Sequence, residues 1–140
     1  MKKQIEITKK SIGTYSVNDR DDIEVMDAVK MIATYEGQFA GWAVLGINSL
    51  GLICAEILIE TDYRNLGIAT AIYDEAEKLF SQPVVPSPGR SIQADLFWIR
   101  RIIKEGDIEK IPNFIDLSYF DDEELEDLGL SSNDITNLRA

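Results

Sequence analysis

The chain has 140 residues, of which 45% are hydrophobic and 9% aromatic, enough for one compact domain and too apolar for a disordered chain. With no histidine and one cysteine it has no internal disulfide, multi-thiol zinc site, or Ser-His-Asp or Cys-His catalysis, and no metal site is expected. The formal net charge of -11 is uneven, 14 acids against 12 bases in residues 1–104 and 11 against 2 in residues 105–140, which argues against nucleic-acid binding through a basic face.

Met1-Lys2-Lys3 carries no apolar signal-peptide core. The longest apolar stretches, Phe39–Ile47 and Leu50–Ile59, fall short of the roughly 20 residues that span a bilayer, so a cytoplasmic protein is expected. Gln4–Thr8 alternates and predicts a first strand, and Asp19-Arg20-Asp21-Asp22 predicts a polar turn. Ile23–Ile32 fits two patterns. Ile23, Met26, Val29 and Ile32 would make a narrow helical stripe, while their β-branched neighbours favour a strand, the reading adopted. Val29–Tyr35, the turn Glu36-Gly37-Gln38 and Phe39–Ile47 predict a β-hairpin, in which Gly41 and Gly46 mark bulges or close approaches. Leu52–Glu60 is nearly continuously apolar, as in a central strand covered on both faces.

The period then changes. Over Gly67–Phe80, residues Ile68, Ala71, Ile72, Ala76 and Leu79 share one helical face. Pro83–Pro86 predicts a short strand, Ser87-Pro88-Gly89-Arg90 a turn, and Ser91 the N-cap of a helix through Ile103 with Ile92, Leu96 and Ile99 on one face. A polar link from Glu105 leads to the apolar cluster Ile111–Phe120. Beyond it, Asp121-Asp122 opens an acidic helix stopped at Gly129, and Ser131 or Ser132 caps another. The expected fold class is α+β, a mostly antiparallel sheet of five to six strands flanked by helices. Residues 1–104 form its domain, and residues 105–140 form an acidic, partly helical extension.

The string Asp62-Tyr63-Arg64-Asn65-Leu66-Gly67-Ile68-Ala69-Thr70-Ala71 stands between a buried strand and an amphipathic helix. A strand that turns tightly into a helix presents unpaired backbone N–H groups at the positive end of the helix dipole. Gly67 and Ala69 keep that surface low enough for a pyrophosphate, and Arg64 adds a cation.

Arg64-Asn65-Leu66-Gly67-Ile68-Ala69 resembles the acyl-CoA motif of the GNAT N-acetyltransferases: Arg or Gln, two variable residues, Gly, one variable residue, then Gly or Ala, after the fourth strand. The likeness covers roughly residues 29–103. Pro83–Pro88 with Asp95–Trp98 also looks like short GNAT-like proteins of phages and mobile elements. The resemblance implies that the backbone of Ile57, Leu58 and Ile59 pairs with the pantetheine arm of acetyl-CoA. Arg64, Asn65, Leu66, Gly67, Ile68, Ala69 and Thr70 would hold the pyrophosphate. It also implies a general base that frees a neutral amine, with Glu56 the first candidate and Glu60 the second. Where many family members carry a tyrosine acid, this chain has Phe97-Trp98, which leaves Tyr63, Tyr73 or solvent as substitutes; the N-terminal part is short for the family's early helices. Two functions follow. One is acetyl transfer from acetyl-CoA to a primary amine of a cationic protein or small molecule; the other is a catalytically inactive GNAT-fold protein, phage-encoded, that binds a host protein through its acidic surface. Neither nucleic acid nor membrane is an expected partner.

Overall fold

Four strands, β1 (Ile5–Val17), β2 (Ile23–Tyr35), β3 (Gln38–Asn48) and β4 (Gly51–Ile59), follow one another as an antiparallel meander in a computed structural model that describes residues 4–17, 23–87 and 92–140. Helix α1 (Ile68–Phe80) crosses over to β5 (Val84–Val85), which lies parallel to β4. The sheet order is β1-β2-β3-β4-β5, and with the helices that follow it makes an α+β fold on a five-stranded, mostly antiparallel sheet. The chain divides by contact into two compact units, Met1–Gly89 and Arg90–Ala140. That division falls ahead of residue 104, where the charge changes.

Ile23–Ile32 is strand throughout, and the hairpin turns at Glu36-Gly37, both with positive φ (49° and 84°), a turn whose twist matches that of its strands. β1 is longer than Gln4–Thr8. Lys9-Lys10-Ser11 carries no apolar alternation, yet it continues the ladder opposite Val29, Lys30 and Met31. The expected turn at Asp19–Asp22, the turn residues Pro88–Arg90 and the Ser91 cap lie outside the described residues.

The ribbon of β1 and β2 does not stay flat. Its register shifts at Ser11/Gly13 and Gly13/Tyr15 in β1 and at Met26/Val29 in β2, where Asp27 has φ 52°. Extra residues bend a strand and increase its twist, and here they fold the far end of the ribbon back over the sheet. Gly46 marks the crossing: a β-carbon there would lie 2.7 Å from Val25 Cγ2 and 2.9 Å from the Met26 carbonyl oxygen. Gly41 is a second close approach, with Leu58 O 2.5 Å from where its β-carbon would stand. The folded ribbon closes an apolar cluster of Val25, Ala28, Val44, Ile53 and Ala55, against which Ile12, Tyr15, Trp42 and Val85 pack.

α1 belongs with the sheet of the first unit. Its Ile68, Ile72, Tyr73 and Ala76 are buried, each large apolar side chain contributing about 1.5–3 kcal/mol. Leu79, expected on the same face, is 47% exposed, because the last turn of the helix gains no cover. Gly67 is the N-cap, with φ 84°, so the helix begins at Ile68. At its far end the Glu77 carboxylate accepts the Val84 N–H at 2.8 Å and ties the crossover to the start of β5; on its flank Lys9 Nζ meets Glu75 Oε1 at 2.6 Å.

In the second unit α2 (Ile92–Glu105) buries Trp98, Ile99 and Ile102. Short helices α3 (Ile111–Phe114), α4 (Asp122–Asp127) and α5 (Ser132–Arg139) follow, with Ile111, Leu125 and Ile135 buried. Both expected helix starts in the acidic tail are capping boxes, Asp121 with Glu124 and Ser131 with Asp134. Arg139 Nη2 donates to the Phe120 carbonyl at 2.7 Å and pairs with Asp122 at 3.2 Å, so the tail is an ordered part of its unit. No described helix is long and apolar enough to cross a membrane.

Candidate functional site

β4 and β5 share only two rungs, Leu52 with Val84 and Ile53 with Val85. Pro86 follows and has no N–H to extend the ladder. β4 runs on to Ile59, bonded to β3 on one side; its other edge meets no strand among the described residues. On that edge the outward backbone groups of the half-strand are open to an extended ligand, apart from the Glu56 and Ile59 carbonyls, which accept from Cys54 and Arg64. Ile57 and Leu58 there are 37% and 45% exposed, unusual for apolar residues of an interior strand.

A bulge lies just where β4 leaves β5. Val44 stands opposite Glu56 but Leu45 opposite Cys54, so Ala55 is the extra residue. Strict alternation would put Ile53 and Glu56 on opposite faces; the bulge brings them to one. Tyr15, packed on the cluster that contains Ile53 and Ala55, donates its hydroxyl to Glu56 Oε2 at 2.8 Å. That hydrogen bond, burial and the charge of Glu56 together push the Tyr15 hydroxyl above its ordinary value, because each disfavours a phenolate there. The Glu56 carbonyl is held as well, accepting from the Cys54 thiol at 3.4 Å. Burial pushes that thiol up to about 12, with Tyr73 and the Glu56 carbonyl opposing, so Cys54 is a packing residue rather than a nucleophile.

Beside Glu56 on the same face runs a cross-strand row of Ile32, Trp42 and Leu58, opposite one another in register. Ile32 and Leu58 are exposed and Trp42 half-buried, and Lys30 Nζ lies 4.9 Å from the Trp42 ring centre. This is an apolar platform at the carboxylate's side.

The loop after β4 is fixed by its own backbone. Glu60 N–H returns to the Ala40 carbonyl at 2.8 Å, a single 3-10 turn spans Thr61–Tyr63, and the Tyr63 ring packs 6.0 Å from that of Tyr35. Arg64 Nε donates to the Ile59 carbonyl at 3.3 Å, and Asn65 and Gly67 take left-handed φ values of 64° and 84°. No side chain caps α1 at Gly67, so its first-turn amides point outward as donors. A β-carbon on Gly67 would meet nothing within 4 Å beyond its own chain neighbours. Arg64, Asn65, Leu66 and Gly67 are exposed, whereas Ile68 is buried and Ala69 and Thr70 are half-buried.

The residues singled out in sequence therefore come together unequally. Ile57, Leu58 and Ile59 form the free half-strand, the loop from Arg64 to Thr70 opens α1 directly after it, and Glu56 stands at the fork. Glu60 is exposed at the start of the turn. Tyr15 was not legible as a site residue, since only the ribbon's fold brings it to Glu56. Tyr73 is buried against Cys54, and Tyr63 packs on Tyr35, so neither hydroxyl position was evident from sequence. Phe97 and Trp98 pack edge to face 5.8 Å apart in the second unit. A groove of about 530 Å³ in that unit, lined in part by Phe114, Asp116, Leu138 and Arg139, contains none of these residues. Among the described residues no cluster of Cys, Asp and Glu could hold a metal ion. No family model, curated protein or solved structure matches the chain.

Proposed function

We propose that this chain is an acyl-CoA-dependent N-acetyltransferase of the GNAT type that acetylates a primary amine. The observation that carries the proposal is the fork at Ile53, where parallel strands part and, among the described residues, leave one edge of the second half of β4 without a strand beside a glycine-opened helix. The residues fit an extended amide-bearing arm ending in a pyrophosphate. Ile57, Leu58 and Ile59 offer main-chain groups to the arm, and the α1 amides with Arg64 offer donors and a cation to the phosphates. Acetyl-CoA supplies the activated acetyl thioester.

Glu56 then has the role of base. Only a neutral amine is nucleophilic, so a carboxylate at the fork accepts the proton of the incoming ammonium. The Ile32-Trp42-Leu58 row favours an amine carried on an apolar arm, and the chain's negative charge draws cationic acceptors towards it. Calorimetric titration with acetyl-CoA tests the premise. Micromolar binding by the parent, lost in both Gly67→Glu and Arg64→Glu, is expected. No binding by the folded parent would end the proposal.

A second reading draws on the acidic C-terminal residues. α4 holds the exposed carboxylates of Asp122, Glu123, Glu124, Glu126 and Asp127 in fixed array, a surface suited to a basic protein partner. Cutting at residue 105 would sever α2 from the rest of its unit, so charge reversal at Glu123 and Asp127 is the better test. Salt-sensitive capture of a basic protein that survives both reversals would sink this alternative.

A further inference from the structure

Tyr15 and Glu56 belong to strands that are not neighbours. β2 and β3 separate β1 from β4, and three spacings across a flat sheet would keep them about 14 Å apart. Their 2.8 Å hydrogen bond exists because the bulges at Ser11–Tyr15 and Met26–Val29 fold the ribbon over β3 and β4. The fold has thus brought a phenol from the first strand onto Glu56, the carboxylate that stands at the fork.

We infer that Tyr15 is the positioning residue of Glu56: its hydroxyl, carried there by the folded ribbon, holds the carboxylate in one orientation at the mouth of the β4–β5 fork. The inference rests on the proposed role of Glu56 as base. A glutamate on a strand has three rotatable bonds, and on this half of β4 the next residues Ile57 and Leu58 are exposed and Glu56 itself is only half-buried. The phenol occupies Oε2. Among the described residues Oε1 accepts no hydrogen bond, so the pair fixes the carboxylate and keeps one oxygen for a proton. A hydrogen bond to an ionised acceptor is stronger than a neutral one and is directional, as holding a base within reach of its proton requires. The main chain adds a second restraint, since the Cys54 thiol bonds the Glu56 carbonyl and the Ala55 bulge sets the direction in which the side chain leaves the strand.

The ring and the hydroxyl have separable roles. The ring of Tyr15 packs on the cluster of Val25, Ala28, Val44, Ile53 and Ala55. Tyr15→Phe keeps that packing and removes only the bond to Glu56. The donor contacts proposed for Ile57–Thr70 do not involve Tyr15.

The test measures thiol release from acetyl-CoA with spermidine, a lysine-containing peptide and 4-phenylbutylamine, alongside calorimetric binding of CoA. Expected for Tyr15→Phe is a kcat lower by about tenfold, from a base no longer held in place, with unchanged KM for acetyl-CoA and unchanged CoA affinity. Glu56→Gln should lose more, and adding Tyr15→Phe to it should cost nothing further, the signature of one residue acting through the other. Unchanged kcat in Tyr15→Phe, or losses that multiply in the double variant, overturns the role of Tyr15 and leaves the proposed function standing. A parent that binds acetyl-CoA and acetylates none of the three amines counts against the proposed function itself, and the role of Tyr15 falls with it.

Discussion

Gly46 lies so close beneath Val25 that a β-carbon on it would meet Val25 Cγ2 at 2.7 Å and Val25 Cβ at 2.8 Å. Its φ is not in the left-handed region, so this glycine serves space rather than backbone conformation. Gly46→Ala should push the β1–β2 ribbon off the sheet and destabilise the protein by about 1–3 kcal/mol, as overpacking does. A urea midpoint equal to the parent's would show that the ribbon does not rest on β3. Because the same fold delivers Tyr15 to Glu56, the variant should also weaken that hydrogen bond.

The cover over α1 separates two of its apolar residues. Ile72 is fully buried and Leu79 is 47% exposed. Ile72→Ala should cost about 2–5 kcal/mol, while Leu79→Ser should stay within roughly 0.5 kcal/mol. Denaturant titration of the two variants checks the pair, and comparable losses would place Leu79 in the core after all.

Cys54 links stability to alkaline pH. Burial raises its thiol from 9.0 to about 12 in the folded chain. A value raised by folding gives a contribution that is complete below pH 9 and is lost as pH climbs towards 12, since the unfolded thiol ionises first. Between those limits stability should fall more steeply in the parent than in Cys54→Ala. The shift of Tyr15 is common to both proteins and cancels. The native thiol should also resist a disulfide reagent at pH 8 and react at once in urea.

Asp121 caps α4 through Oδ1, which accepts the Glu124 N–H at 2.8 Å, while Glu124 Oε1 accepts the Asp121 N–H at 3.1 Å. Asp121→Ala removes the first bond and leaves an unpaired amide at a short helix start, an expected loss of about 1 kcal/mol. Asp121→Ser should recover most of it. Thermal melts followed in the far ultraviolet measure both.

Much of this architecture can be read from residue order. The hairpin announces itself through Glu36-Gly37 between apolar runs, β4 through its nearly continuous hydrophobicity, and α1 through a change of period after Gly67. The capping boxes of the tail are equally plain in Asp121 and Ser131, whose side chains have no better use than a helix start. What stayed hidden depends on deviations from regular pairing. Lys9-Lys10-Ser11 is strand because β2 lies beside it, not because of its own pattern. Glu56 faces Tyr15 only because Ala55 is an extra residue in the ladder, and nothing about alanine between cysteine and glutamate signals a bulge. The exposure of Leu79 depends on how far cover extends beneath the helix, which periodicity does not encode. The free half of β4 was expected only through the resemblance and not from the residue pattern, because the two-residue length of β5 is set by pairing and by Pro86.

That short β5 also bears on the order in which the protein assembles. Each of β1 to β4 pairs with the strand next to it in sequence, so three hairpins can zip with small loop closures on the microsecond scale. The parallel rungs Leu52–Val84 and Ile53–Val85 must wait until α1 has folded back along the sheet, a longer closure with only two residues to reward it. The fork at Ile53 is therefore expected to form after the hairpins and to open before them, and amide hydrogen exchange at Val84 and Val85 should run ahead of exchange in the hairpins.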